Sequence, residues 1–274
     1  MPVELINGFR MAYDVTGGGP PVVFVHGGFG GAARRFEASR PWWVDELFAR
    51  QFTVVTYDRR GCGRSEVPED GYDMETFAAD LHELLGHVGM APAYLIGSSA
   101  GGPIAIQFAL TYPAEVRALV LVNTAADLLT SEQSESLREG LAQQRAAGPD
   151  ALPEPPRGAD APTYEATARL RELIKQLPAE ERRQLFDGWD KTVRAYTSLD
   201  LTPRLHELQM RTYVLHGRDD EVVPASAAYK LANSIPNASA RIIGAERHGL
   251  MTRRDSGAAE LVLEQLLKWE EHPA

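Results

Sequence analysis

The sequence contains a single cysteine, Cys62, so the chain cannot form an internal disulfide or a zinc site of the cysteine-cluster type. Cys62 lies in a glycine-rich turn, where we expect a structural role. Only four of the 28 basic residues are lysine, and 38 acidic residues outnumber the basic ones, which gives a net charge of −10. Nucleic acids and anionic membranes require a cationic protein face, so we expect neither as a partner.

Long apolar segments are also missing. No apolar run approaches the roughly 18 residues of a membrane span, and the longest are short runs such as 118–122. The start, MPVELINGFR, has no basic stretch followed by an apolar one, so we expect no signal peptide. With 274 residues, 44% of them hydrophobic, the chain is long enough to bury a core without staples. We therefore expect a soluble, cytoplasmic globular protein, of unknown oligomeric state.

Short apolar runs typical of buried strands alternate with amphipathic stretches typical of helices. This alternation predicts the α/β class, with a mostly parallel central sheet flanked by helices. The predicted strands are 3–6, 11–15, 22–25, 52–57, 93–96, 116–122, 212–215 and 240–243, and the predicted helices are 41–50, 74–88, 104–110, 225–234 and 258–271. The first two strands flank Asn7-Gly8, which predicts a hairpin.

Residues 125–205 interrupt this alternation. They contain seven prolines, many charges and no strand-like run, and they fit three helices at about 131–147, 163–177 and 179–198. Residues 145–162 are predicted to form a mobile loop. Because sheet units precede and follow it, we expect this segment to be a helical lid on the side of the sheet where ligands bind. The alternative is a surface excursion far from any site.

The strongest chemical signal is GSSAG at 97–101, which matches G-x-S-x-G with Ser99 at its centre. The motif follows a predicted strand and precedes a helical stretch, as this turn requires. A serine at the tip of so sharp a turn has strained dihedrals, which are tolerable only if the residues two positions away on each side lack bulk. Ser99 meets this condition, whereas Ser98 has Ile96 two positions before it. Ser99 is therefore the candidate nucleophile.

A serine hydroxyl is a poor nucleophile and needs a base within hydrogen-bond reach. Of the seven histidines, His248 lies in a loop between the last strand and the last helix, which fits the chain order serine, acid, histidine. Three acids follow the strand 212–215 on one turn, namely Asp219, Asp220 and Glu221, and their spacing alone does not choose among them. Asp127, after the preceding strand, is a further candidate.

The oxyanion of an acyl-transfer reaction needs preorganised hydrogen-bond donors. One candidate is the backbone N–H of Ala100, directly after the nucleophile, where the following helix also favours negative charge. The second should come from the loop HGGFG at 26–30, and we place it at Gly28, with Phe29 as the alternative. This loop matches neither phosphate-binding glycine pattern, so no nucleotide site is predicted.

Several aromatic side chains are candidates for a substrate pocket. Phe29 adjoins the oxyanion loop, and Trp189 and Tyr196 lie in the inserted segment, although aromatics at such spacings are also typical of core packing. The same alternative applies to Trp42, Trp43 and Phe186. His216 with Asp219 and Asp220 resembles a set of metal ligands, but a role in a triad explains the acid better. We expect no metal and no cofactor.

Together these motifs resemble those of the α/β-hydrolase superfamily over essentially the whole chain. The resemblance rests on HGGFG at 26–30, YDRRGCGRS at 57–65, GSSAGG at 97–102, HGRDDEVVP at 216–224 and ERHGL at 246–250, in the family's order. It implies the α/β-hydrolase fold, with a core formed by residues 1–124 and 206–274 and a helical cap, 125–205, inserted after the sixth strand.

The resemblance also implies the site residues. In this family the acid is the third residue after the strand-ending glycine and the fourth before a proline, here Gly217 and Pro224, which selects Asp220. The triad would then be Ser99, His248 and Asp220. The family's oxyanion donors fall on Gly28 and Ala100.

The branch within the superfamily stays open. DRRG…GRS and His-Gly-Leu look like the cofactor-free haloperoxidase or perhydrolase and arylesterase branch, whereas GCGRS with HGGFGG is also similar to proline iminopeptidases. Gly249 stands where meta-cleavage C–C hydrolases usually carry tryptophan, and a serine nucleophile disfavours haloalkane dehalogenases and soluble epoxide hydrolases.

The expected function is a serine hydrolase of small carboxylic esters or lactones that works through an acyl-enzyme. The alternatives on the same triad are an iminopeptidase-like peptidase, a C–C bond hydrolase and a perhydrolase. A non-hydrolytic binding protein on this fold is a fourth possibility, which a complete triad disfavours.

Overall fold

The computed structural model of the chain describes residues 1–30, 41–130, 134–150, 152 and 161–272. Its strands are β1 (Val3–Ile6), β2 (Phe9–Gly17), β3 (Pro21–Val25), β4 (Thr53–Tyr57), β5 (Ala93–Ser98), β6 (Val116–Val122), β7 (Thr212–Gly217) and β8 (Ala238–Ile243). Its helices are α1 (Trp42–Glu46), α2 (Met74–Val88), α3 (Gly101–Thr111), α4 (Glu135–Ala147), α5 (Ala161–Gln176), α6 (Ala179–Tyr196), α7 (Ser226–Ser234) and α8 (Ala258–Glu271). Short 3₁₀ turns occupy Phe48–Arg50, Pro113–Glu115, Thr202–Glu207 and Arg254–Ser256.

The described strands form one sheet with the order β1-β2-β4-β3-β5-β6-β7-β8. All pairs from β4 to β8 are parallel, whereas β2 is antiparallel to both β1 and β4. Every residue of β4, β5 and β7 is buried, which explains why these strands are short apolar runs without alternation. The predicted α/β class with a mostly parallel sheet is confirmed.

Helices cover both faces of the sheet. On one face, α2, α3 and α7 pack with Val23, Leu95 and Val214 in a single hydrophobic cluster. On the other face, α1 and α8 pack with Phe24 and Ile96. Neighbouring residues of one strand thus point to opposite clusters, as the period of two along a strand requires.

Two predicted helices have different boundaries in the structure. The predicted helix 41–50 is wrong as one element, because α1 ends at Glu46 and a 3₁₀ turn follows after Leu47, whose φ of −121° and ψ of −58° are not helical. The helix predicted from 104 begins at Gly101, directly after the Ser99 turn. Pro103 fits there because the first turn of a helix needs no N–H from it.

The helices α4, α5 and α6 lie between β6 and β7, close to the three helices predicted there. The predicted loop 145–162 is too long, because α4 runs to Ala147 and α5 begins at Ala161. Residues 151 and 153–160 of that loop, and 131–133 of the first predicted helix, lie outside the described residues. The division into a core and a cap of 125–205 stays a prediction.

Helix α6 packs tightly on the rest of the chain. A Cβ atom on Gly188 would lie 2.6 Å from the backbone oxygen of Gly61, and the Lys191 ammonium donates to the Pro68 carbonyl at 3.1 Å. Tyr196, its last residue, is completely buried. Along the described residues, no helix combines the length and apolarity needed to cross a membrane.

Candidate active site

Ser99 lies at the tip of the turn between β5 and α3. Its φ of +49° is in the left-handed region, which costs about 1–3 kcal/mol for a residue with a side chain. Hydrogen bonds hold this conformation: the Ser99 N–H donates to the Val122 carbonyl at 2.9 Å, and the Ser99 carbonyl accepts from the Thr124 hydroxyl at 2.7 Å. The neighbouring strand therefore fixes the strained residue.

The glycines around Ser99 are required by close packing. A Cβ atom on Gly97 would lie 2.8 Å from the Cβ of Ala105, and one on Gly101 would lie 2.1 Å from the Val25 carbonyl oxygen. A side chain at position 97 would push β5 away from α3, and one at position 101 would push α3 away from the end of β3. The steric reason that the sequence suggested for the G-x-S-x-G spacing agrees with this geometry.

The structure brings Ser99, His248 and Asp220 together from three separate loops. The Ser99 Oγ lies 3.0 Å from His248 Nε2, and His248 Nδ1 lies 2.8 Å from one carboxylate oxygen of Asp220 and 3.0 Å from the other. A carboxylate only accepts, so Nδ1 carries the imidazole proton and Nε2 offers its lone pair to the serine hydroxyl. This is the tautomer that a general base needs.

Asp220 is buried, and its charge is well compensated. Its Oδ1 accepts the N–H groups of Val222 and Val223, each at 2.9 Å. Burial raises the pKa of Asp220, but the hydrogen bond and charge of His248, together with those two N–H groups, outweigh it. The pKa therefore lies below its ordinary value of 3.8, and Asp220 is ionised at neutral pH.

The other acid candidates do not reach His248. Asp219 is half exposed and lies 3.3 Å from the Arg218 guanidinium, while Asp127 forms an ion pair with Lys230 at 2.9 Å. The backbone explains the difference, because the Asp219 N–H donates to the Glu246 carbonyl at 2.9 Å and so ties the acid turn to the histidine loop. The next residue, Asp220, then faces His248.

His216 is fully buried at the end of β7, next to Asp220. Its Nε2 donates to the Val223 carbonyl at 2.7 Å and lies 3.5 Å from an Asp220 oxygen. Burial lowers the pKa of His216, so the ring is neutral. His216 therefore has a structural role, because it packs against the turn that carries Asp220. Within the described residues, no three His, Cys, Asp or Glu side chains form a group suited to a metal ion.

Asn123 is a site residue that the sequence analysis missed. It follows β6 with a φ of +47°, its amide donates to an Asp220 carboxylate oxygen, and its side-chain oxygen accepts the Leu250 N–H at 3.3 Å. It thus links the acid to the loop that carries His248. The available signal was an asparagine directly after a buried strand, because asparagine tolerates the left-handed conformation better than most residues.

The loop 26–30 lies directly against the nucleophile. A Cβ atom on Gly27 would be 3.0 Å from the Cβ of Ser99, and Gly28 has a φ of +71°. Within the described part of the chain, the backbone N–H groups of Gly28, Phe29 and Ala100 donate to no protein acceptor. They are thus available to a ligand oxygen beside Ser99.

Two of the three predicted pocket residues are in direct contact, and the third packs elsewhere in the core of the same face of the sheet. The rings of Phe29 and Tyr196 meet edge to face at 5.1 Å, and the Tyr196 hydroxyl donates to the Ala100 carbonyl. Trp189 belongs to that core, packed against Phe186. By contrast, Trp43 packs on Phe24 on the opposite face of the sheet, so it is a core residue.

Comparison with known proteins agrees with this fold and geometry. The family model for the alpha/beta hydrolase fold matches residues 20–253. The non-heme chloroperoxidase CPO-A1 of Kitasatospora aureofaciens is 28% identical over 259 residues, 89% of this chain and 90% of that protein. A thermophilic esterase from Thermogutta terrifontis is 26% identical with a TM-score of 0.72, covering 95% of this chain and 94% of the other. Est816, an N-acyl homoserine lactone degrading enzyme, is 25% identical with a TM-score of 0.72, covering 95% of this chain and 98% of the other. The chain therefore belongs to the α/β-hydrolase fold family, as the motif resemblance implied.

Proposed function

We propose that this α/β hydrolase is a serine esterase that cleaves small carboxylic esters or lactones through an acyl-enzyme. The observation that carries the proposal is the continuous hydrogen-bonded chain from the Ser99 hydroxyl through His248 to Asp220. A neutral imidazole between a hydroxyl and a buried carboxylate is the arrangement that activates serine for attack on an acyl carbon.

Each residue has one role in the proposed reaction. Ser99 Oγ attacks the carbonyl carbon as its proton passes to His248 Nε2, and Asp220 stabilises the imidazolium that forms. The N–H groups of Gly28, or Phe29 in its place, and of Ala100 bind the developing oxyanion. His248 then protonates the leaving alkoxide and later deprotonates a water molecule, which hydrolyses the acyl-enzyme. The chain supplies every group, so the proposal needs no cofactor.

The residues around the nucleophile indicate the chemical character of the substrate. Phe29 and Tyr196 meet edge to face next to Ala100, and these apolar rings favour an uncharged acyl group over a charged one. The segment 125–205 is proposed to be the lid of this site, supported by the contact of Tyr196 with Ala100. The esterase and the lactone-degrading Est816 are similar chains and support the choice of ester and lactone bonds.

The test compares two adjacent serines. Ser99→Ala should lower kcat for p-nitrophenyl acetate by roughly 10⁶-fold, as for other triad serines. Ser98→Ala is the matched control and should keep activity of the wild-type order, because the hydroxyl that contacts His248 is that of Ser99, and no hydrogen bond among the described residues joins the Ser98 side chain to the triad. A fluorophosphonate should label the wild type stoichiometrically at Ser99. Near-normal turnover by Ser99→Ala would refute the assignment.

Substrate class is tested with a panel of acetyl to lauroyl esters, aryl esters, γ-lactones, acyl homoserine lactones and prolyl anilides. We expect the highest kcat/KM on short-chain esters or lactones. A preference for prolyl anilides would instead establish the iminopeptidase-like alternative, and turnover of none of these bonds would contradict an esterase.

The chloroperoxidase relative favours perhydrolysis as a second candidate function. Hydrogen peroxide would attack the acyl-enzyme in place of water, which releases the peracid and regenerates the Ser99 hydroxyl. The measurement is peracid formation from an acetate ester and peroxide, by wild type and by Ser99→Ala. Peracid formation that survives loss of Ser99 would show that the triad is not responsible.

A further inference from the structure

Arg59 is a buried cation beside the oxyanion loop. It lies just after β4, is 2% exposed, and donates from its guanidinium to the Gly28 carbonyl, to the Tyr196 hydroxyl at 3.1 Å and to the Gly27 carbonyl at 3.5 Å. Its Nε lies 3.4 Å from His26 Nε2. These acceptors are all neutral, and among the described residues Arg59 forms no ion pair with a carboxylate.

The next residue shows how unusual this is. Arg60 is equally buried, but it forms a two-pronged ion pair with the Asp80 carboxylate, with both N–O distances at 2.7 Å. A buried charge without a counter-charge is costly to the folded state, because neutral dipoles replace only part of its lost hydration. Because the buried charge of Arg59 destabilises the folded state, we expect that charge to serve a role that a neutral side chain could not fill.

The acceptors of Arg59 belong to the peptide groups of the oxyanion loop. The Gly27 carbonyl is the other end of the peptide that carries the Gly28 N–H, and the Gly28 carbonyl is the other end of the peptide that carries the Phe29 N–H. A hydrogen bond to a peptide oxygen polarises the group and makes its N–H a stronger donor. Arg59 therefore acts on both candidate donors.

His26 completes the arrangement on the same side. Its Nδ1 lies 2.7 Å from the Gly27 carbonyl, and since a carbonyl only accepts, Nδ1 carries the proton. Its Nε2 then presents a lone pair to the Nε–H of Arg59. The Gly27 peptide is thus polarised by two donors.

Tyr196 connects Arg59 to the second donor. Its hydroxyl accepts from Arg59 and donates to the Ala100 carbonyl, so one side chain at the end of α6 touches both halves of the oxyanion site. Burial raises the pKa of Tyr196 to about 12, so the hydroxyl keeps the proton that it donates. The position of Ala100 therefore depends on the seating of α6.

We propose that Arg59 and Tyr196 are positioning residues of the oxyanion hole: Arg59 orients and polarises the peptides that carry the Gly28 and Phe29 N–H groups and holds a permanent positive charge behind them, and Tyr196 holds Ala100 in place through its carbonyl. The inference rests on the proposed acyl transfer by Ser99. As the carbonyl oxygen becomes negative, the interaction with this charge grows, whereas the neutral substrate gains little from it. The pair should thus act on kcat and not on substrate binding.

The variants are Arg59→Met, which removes the charge, Arg59→Lys, which keeps the charge but loses the planar fork, and Tyr196→Phe. Loss of a direct oxyanion donor costs 10²–10³-fold in kcat, so an indirect loss through Arg59→Met should cost about 10–100-fold, with KM little changed. Arg59→Lys should recover part of that loss. Tyr196→Phe should cost about 3–10-fold, and because it removes only one hydroxyl it keeps the test usable if Arg59→Met does not fold.

The matched control is Arg60→Lys, the same substitution at the neighbouring buried arginine. It should lower thermal stability at least as much as Arg59→Lys, because it weakens the ion pair with Asp80, yet leave kcat of the folded enzyme at the wild-type level. Equal losses of kcat in Arg59→Lys and Arg60→Lys would mean that general destabilisation is responsible, and would overturn the proposal.

A pair of inhibitors separates oxyanion stabilisation from packing. A trifluoromethyl ketone forms a negatively charged adduct with a catalytic serine, whereas the parent methyl ketone binds as a neutral carbonyl. The affinity ratio of the two should fall in Arg59→Met and Tyr196→Phe by the same factor as kcat. An unchanged ratio in both variants would refute the role of the pair.

Fluorophosphonate labelling of the wild type keeps the two proposals apart. If Ser99 is not labelled, the proposed function fails and this inference falls with it. If Ser99 is labelled and Arg59→Met and Tyr196→Phe keep the wild-type kcat, only this inference fails.

Discussion

Replacing Gly101 by alanine tests whether the turn at Ser99 and the oxyanion loop are packed as closely as the structure has them. The added Cβ would lie 2.1 Å from the Val25 carbonyl oxygen and 2.7 Å from that of His26. To reach even 3.0 Å, the gap to Val25 must open by 0.9 Å. Val25 is the last residue of β3 and leads directly into the loop that carries Gly28.

The expected size of the effect follows from this displacement. A backbone clash in a well-packed interior costs about 1–3 kcal/mol. For a chain of 274 residues, with an unfolding entropy of about 2.1 cal/mol/K per residue, that corresponds to a fall in Tm of about 2–5 °C. A shift of about 1 Å between the nucleophile and the oxyanion donors lowers the rate by about 10²-fold. The variant should therefore remain folded at room temperature but hydrolyse esters about 10²-fold more slowly.

Gly86→Ala is the matched control. Gly86 lies near the end of α2, is exposed, and has no atom within 4 Å of its ideal Cβ position. Alanine there should stabilise the helix by about 0.5–1 kcal/mol and leave ester hydrolysis unchanged.

The assays are thermal unfolding and initial rates on p-nitrophenyl acetate, each for both variants. Activity of Gly101→Ala within about twofold of the wild type would be inconsistent with an overpacking cost of this kind. A Tm of Gly101→Ala that stays the same or rises, as expected for Gly86→Ala, would also be inconsistent with this cost. Either result would mean that the turn and the loop are looser than described.

Two further predictions concern the acid turn. Asn123→Ala should lower kcat/KM about tenfold, because Asp220 loses a charge-assisted hydrogen bond. Asn123→Asp should lower kcat/KM further, because it places a second carboxylate beside Asp220. Equal activity of both variants and the wild type would contradict the role of Asn123 in linking the acid turn to the histidine loop. The second prediction is a pH dependence of stability. Because the folded-state pKa of Asp220 is lowered, its stabilisation is fully present above about pH 4 and is lost as the pH falls through that pKa. The difference in urea midpoint between the wild type and Asp220→Asn should therefore be larger at pH 6 than at pH 3, and a constant difference would argue against an ionised, stabilising carboxylate.

Much of the fold was predictable because its central strands are buried on both faces. Strands such as β3 read as uninterrupted apolar runs, and their order along the chain predicted the α/β class. The turn at Ser99 was predictable for a different reason. A side chain at position 97 would clash with Ala105 and one at position 101 would clash with Val25, so only glycine fits at either position. Local sterics and burial leave a signature in the sequence.

Long-range hydrogen bonds leave no such signature. Spacing alone left three acids on the turn after β7, and the resemblance chose Asp220, whereas the tie between Asp219 and Glu246 explains it physically. Arg59 and Arg60 are adjacent and chemically identical, yet one binds Asp80 and the other binds backbone oxygens of the oxyanion loop. Asn123 was missed because its two partners come from distant parts of the chain.

The buried hydroxyl at the end of α6 also bears on how this chain can diversify. Under the lid role proposed above, exchange of the segment between β6 and β7 is a route to new specificity, because its helices add no strand to the sheet. A chimera in which Tyr196 is replaced together with the rest of the segment would gain new residues around the site, but it would lose the hydrogen bond from the Tyr196 hydroxyl to the Ala100 carbonyl. A chimera whose donor segment ends before position 196 keeps Tyr196 and should keep its turnover rate. A chimera whose donor segment extends past position 196 loses Tyr196, and it should bind substrate but turn it over slowly.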